Sequence, residues 1–124
     1  MPKTTSDFER VRKIGLALPG VEEGTAYGSP ALRLHGQLLA CIAVHRSAEP
    51  GSLVVRVDFA DRAELLATEP DIYYVTDHYL EHDSVLVRLS RIDPDLLRDL
   101  LAMAYKYVTS KSRSRLPYQK RRRP

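Results

Sequence analysis

A run of seven apolar residues, Leu38-Leu39-Ala40-Cys41-Ile42-Ala43-Val44, sets the architecture. It falls far short of the ~18 residues that a membrane span requires. Gly36-Gln37 precedes it and the turn-forming segment Ser47-Ala48-Glu49-Pro50-Gly51-Ser52 follows, so it reads as a central strand. Short runs on either side supply neighbours. Residues 31–35 place Leu32 and Leu34 on one face, and Leu53-Val54-Val55-Arg56-Val57 forms the next strand. Residues 85–89 give a further clear strand, and residues 72–76 a short β-prone stretch.

Three segments carry helical periodicity. Ser6-Asp7-Phe8-Glu9 has the spacing of a capping box, and Phe8, Val11, Ile14 and Leu18 recur on one face up to the stop at Pro19-Gly20. Asp58 caps a short helix holding Ala63, Leu65 and Leu66. Asp93-Pro94 opens the last helix, where Leu96, Leu97, Leu100, Leu101, Ala104 and Val108 form a wide apolar stripe. Residues 21–30, with two glycines and two acids, read as a loop. The order is α-β-β-β-α-β-β-α. Short reversals between strands imply an antiparallel sheet with helices on one face, a two-layer α+β sandwich. With 124 residues and 44% hydrophobic content, one core and one domain over residues 1–110 are expected.

Charge divides the chain unevenly. Residues 111–124 contain Lys111, Arg113, Arg115, Lys120, Arg121, Arg122 and Arg123 and no acid. Twelve basic and sixteen acidic residues remain in the body, a net of −4. The segment reads as an unstructured basic tail suited to neutralising phosphates, with Tyr118 placed to stack on an unpaired base. Strand alternation puts Arg33, Arg56 and Arg88 on the sheet face away from the helices, where they form a secondary candidate for phosphate contact.

Other candidates are weaker. His78-Tyr79-Leu80-Glu81-His82 places two histidines four apart, but in a loop and without a third ligand, so no metal site is expected. Those histidines, with Tyr27 and Tyr79, form a possible ligand pocket, because loops carry function more often than cores do. Cys41 sits inside the apolar run and reads as a buried, inert thiol. Ser29 lacks the context of an activated nucleophile, and glycines 20, 24 and 28 are too sparse for a phosphate loop. Arg10, Arg12 and Lys13 read as a solvated helix face. No enzyme activity and no cofactor follow from these residues. A single cysteine and the absence of a secretory h-region favour a cytoplasmic setting.

Leu18-Pro19-Gly20-Val21-Glu22-Glu23, Tyr27-Gly28-Ser29-Pro30-Ala31-Leu32-Arg33, Tyr74-Val75-Thr76-Asp77-His78-Tyr79, Val85-Leu86-Val87-Arg88-Leu89 and Asp93-Pro94-Asp95-Leu96-Leu97 occur in an order and spacing that resembles the MmcQ/YjbR family. The resemblance spans residues 7–108. It implies a two-layer α+β fold described as CyaY-like, and a DNA-binding label without defined chemistry. It supplies no catalytic residues. Gln37 departs from the lysine that family members often carry in this hairpin. The leading expectation is a non-catalytic, largely non-sequence-specific binder of nucleic acid, DNA first, with no membrane association. The alternative is a protein-interaction or small-ligand module using Tyr27, His78, Tyr79 and His82.

Overall fold

The computed structural model describes the backbone of residues 3–114 and the side chains of residues 8–111. Its elements are α1 (Lys3–Leu16), β1 (Val21–Ala26), β2 (Ser29–Leu34), β3 (Gln37–Ile42), β4 (Ser52–Arg56), α2 (Phe59–Thr68), β5 (Tyr73–Tyr74), a 3-10 turn at Asp77–Tyr79, β6 (Ser84–Arg88) and α3 (Pro94–Ser114). Six strands form one antiparallel sheet in the order β1-β2-β3-β4-β6-β5. The α+β class, the antiparallel sheet and the central position of the apolar run agree with the sequence reading.

The main difference is β1, where a loop was expected. Glu22 and Glu23 are exposed and only Val21 and Ala26 are buried, so the strand carries no apolar alternation. Pairing with β2 over the full register from Val21↔Leu34 to Ala26↔Ser29 holds it in place. The reversal between them is Tyr27-Gly28, with φ of 55° and 77°, and His35-Gly36 repeats the geometry between β2 and β3 at 54° and 77°. Two successive positive φ values are the mark of the tight hairpin turn whose twist matches that of the strands.

Helix ends follow simple chemistry. The Asp58 carboxylate accepts from the Asp61 amide at 2.7 Å and opens α2; Asp93 accepts from the Leu96 amide at 2.8 Å and opens α3. The helix start expected at Ser6 falls earlier: α1 begins at Lys3, and Ser6 lies inside it. Helix α3 runs to Ser114, so Lys111 and Arg113 lie on the helix rather than in a tail. Arg10 is also not a solvated residue: its guanidinium donates to the carbonyls of Leu89 and Ile92, tying α1 to the approach of α3.

The larger core lies between the sheet and helices α1 and α3. Leu32, Leu34, Leu53, Val55, Val85, Val87, Leu97, Leu101 and Val108 are all fully buried there. A bulge between Leu32 and Arg33 leaves Leu39 as the extra residue of β3, and both Leu39 and Ala40 face this core. Cys41 then returns to the other face. That second face is covered too. Ala26, Ala31, Cys41, Val54 and Leu86 pack beneath Tyr79, with Tyr74 and Val75 against them. Among the described residues no helix is long and apolar enough to cross a membrane.

Candidate ligand pocket on the second sheet face

Arg33, Arg56 and Arg88 do lie on the second sheet face, but that face is not open, and Arg56 reaches the Tyr107 ring of α3 at 5.7 Å. Arg88 grips Glu49 through Nε and Nη2 at 2.9 and 2.8 Å, donates to the carbonyls of Pro70 and Asp71, and lies 4.3 Å over the Tyr74 ring. Arg56 donates to Asp83 at 2.9 Å and to the Leu38 carbonyl, and Arg33 donates to the Thr25 carbonyl at 3.2 Å. Each is tied to the chain, Arg88 most fully and Arg33 by a single bond.

Between the β1–β2 turn and the loop after β5 the same face opens into a cavity of about 960 Å3. Leu38, Cys41 and Val54 form its apolar floor. Tyr27 and, about 50 residues further along the chain, His78, Tyr79 and His82 all line it. The structure adds His45, the residue that sequence reasoning missed: its ring stacks on His78 at 3.5 Å with planes 7° apart. The Ser47 amide donates to His45 Nδ1 at 3.0 Å, which leaves the proton of the neutral ring on Nε2. Ser47 in turn shares a 2.8 Å hydrogen bond with Thr76, joining the two loops behind the stack. Desolvation, together with the charges that His45 and His82 acquire on protonation, holds His78 below the ordinary histidine value.

Arg62 holds the histidine loop. It is 9% exposed, lies on α2, and donates to the carbonyls of Leu80, His82 and Ser84 at 2.9, 3.0 and 3.1 Å, with a longer contact to that of Tyr79. Phe59 covers the guanidinium at 4.7 Å. The carbonyl dipoles provide its solvation in place of water. A signal for this role exists in the sequence: Arg62 stands three residues after Phe59 and three before Leu65, on the apolar stripe of its helix.

Arg56 and Lys111 flank Asp83 on one wall of the cavity, and Arg46 also contributes to the lining. Asp83 accepts from Arg56 at 2.9 Å and from the Tyr107 hydroxyl at 2.7 Å, and Lys111 Nζ lies 3.5 Å away. Burial raises the Asp83 carboxyl, but the bonds from Tyr107 and Arg56 outweigh it and hold the group below its ordinary value. Burial, then the hydrogen bond to Asp83, pushes the Tyr107 hydroxyl up to about 12. Burial alone pushes the Cys41 thiol up to about 11, although Arg33 opposes it, so this floor residue is a thiol and not a thiolate at neutral pH. Among the described residues no group of three His, Cys, Asp or Glu side chains is placed to hold a metal ion. The face-to-face histidines explain why: nitrogen lone pairs lie in the ring planes and do not converge when the rings stack in parallel.

Of the basic segment, Lys111 lines the cavity and Arg113 lies on α3. Arg115, Lys120, Arg121, Arg122 and Arg123 fall outside the described residues.

These features define a small two-layer α+β domain with a partly apolar, partly cationic pocket on the second sheet face, bordered by Lys111 of α3. The fold is similar to that of protein DR2400 of Deinococcus radiodurans, which carries a DUF419 domain: TM-score 0.69 and 21% identity, over 85% of this chain and 80% of that one. The YjbR family model matches residues 16–107, and the chain belongs to that family. The match takes in the whole sheet and stops four residues before Lys111. No curated protein matches the chain.

Proposed function

We propose that this YjbR-family chain is a non-catalytic, cytoplasmic protein that binds nucleic acid, DNA first, mainly through charge and with little base preference. One observation carries the reading: Lys111, the first residue of the basic segment, lines the aromatic and histidine pocket. The basic segment therefore begins, at Lys111 on α3, in the lining of a cavity that also offers ring faces. Phosphates along the segment release counterions, which favours binding without reading sequence. Arg33, Arg56 and Arg88 are secondary, since internal partners already occupy them.

The test is fluorescence anisotropy with labelled single-stranded and duplex DNA and with RNA, at several salt concentrations. Binding that weakens steeply with salt is expected. No binding at ~50 mM salt, where charge contacts are least screened, overturns the reading. A second reading, a small-ligand or protein-interaction module, is favoured by the assembly of Tyr27, His78, Tyr79 and His82 around one cavity.

A further inference from the structure

Tyr27 sits where a tyrosine is not needed for folding. It occupies the first position of a tight hairpin turn with φ of 55°, a conformation that asparagine, aspartate and glycine accept more readily. Its side chain is 84% exposed, the most open of the large hydrophobic residues described. It nevertheless lines the cavity, on the same rim as the His45–His78 stack. Beneath lies the apolar floor of Leu38, Cys41 and Val54, and Arg46 and Lys111 supply positive charge in the lining. Asp83 is shared by Arg56 at 2.9 Å and Lys111 at 3.5 Å, so one carboxylate faces two cations and, with Arg46, the lining keeps a positive excess for an external anion. The volume suits a drug-sized molecule, since such sites span roughly 300–1,000 Å3.

We propose that the cavity is a nucleotide subsite: it takes one unstacked base against the Tyr27 ring and the apolar floor, with the attached phosphate directed to Arg46 and Lys111. Base-on-aromatic stacking tolerates any base, which fits a site whose apolar floor offers no base-specific donor. The nucleotide comes either free or as one residue of a single strand. Only the second source rests on the nucleic-acid reading above.

The experiment uses the full chain, with adenosine 5′-monophosphate, inorganic phosphate, a single-stranded oligonucleotide and its duplex as probes. The histidine ring signals in NMR report on the pocket, and calorimetry gives affinity. Tyr27→Asn suits the turn, so its thermal midpoint should be unchanged or higher while mononucleotide affinity falls at least tenfold. His78→Ala should weaken the mononucleotide similarly, and truncation after Ser114 should leave it unchanged. Inorganic phosphate should bind far more weakly than the mononucleotide, and the single strand should bind more tightly than the duplex. Mononucleotide binding that depends on Tyr27, with no oligonucleotide binding, supports the subsite while the nucleic-acid reading falls. Oligonucleotide binding indifferent to both substitutions, with no mononucleotide effect on the histidine signals, overturns the subsite and leaves the nucleic-acid reading standing. Equal responses to phosphate and mononucleotide also overturn it, since only the anion is then recognised.

Discussion

Arg62 shows how much a single buried cation can organise. Sequence patterning treats arginine on a short helix as solvated, because most are. Here the guanidinium substitutes for water around a loop whose carbonyls point inward. Arg62→Met keeps the apolar stem but strands those carbonyls. Hydrogen bonds to a charged group contribute about 1.5–3 kcal/mol each in net terms, and partial solvation of the loop recovers some of the loss. A destabilisation of about 2–4 kcal/mol in urea titration is expected, with broadened His78 and His82 signals; a change under half a kcal/mol means the loop stands without the clamp. Asp83 gives a pH-dependent counterpart. Its folded pKa lies below the ordinary 3.8, so its ionised form stabilises the fold above that value, and the contribution disappears as pH falls through the folded value. Asp83→Asn should therefore be less stable than the parent at pH 7, and the two stability curves should converge below pH 4. Parallel curves from pH 7 to pH 2 contradict the assignment. His45 was illegible for a different reason: it ends an apolar run, and only the fold brings it against a histidine 33 positions along the chain.

At the scale of elements, periodicity was a good guide wherever one face was buried by the chain's own apolar residues. The stripe of α3 is the clearest case. Leu97, Leu100, Leu101, Ala104 and Val108 are each at most 1% exposed, as the spacing of the leucines implies. Leu97→Ala should cost about 2–5 kcal/mol, read from the denaturant midpoint at constant slope. Strand β1 marks the limit of the method. Its sequence, Val-Glu-Glu-Gly-Thr-Ala, contains residues that strands usually avoid, and its conformation comes from the β2 edge and a turn rather than from its own pattern. The second sheet face was half legible. Alternation placed Arg33, Arg56 and Arg88 there correctly, but it carries no information on what covers a face. The cover comes from Tyr74 and Tyr79, some 20 to 50 residues away, and from Glu49 and Asp83 as ion-pair partners.

For the whole molecule, charge and cavity meet at one end of α3, and this yields the sharpest test of function. Two of the five segments that carry the family resemblance, residues 27–33 and 74–79, form the hairpin and the loop on either side of the pocket, and the basic segment begins at its wall. Truncation after Ser114 preserves the whole of α3 and removes Arg115 and Lys120 to Arg123. Five positive charges go, and the net charge changes from +3 to −2. If those residues neutralise about four phosphates, the slope of log affinity against log salt should become shallower by about 3 on a single strand and about 3.5 on duplex. The pocket retains Arg46 and Lys111, so a weak preference for single strands over duplex should survive the truncation. Loss of both the salt slope and that preference means that the segment does all the binding and the folded body only carries it. An unchanged slope means that the phosphates lie on the body, and Arg46→Gln with Lys111→Gln should then remove what the truncation did not.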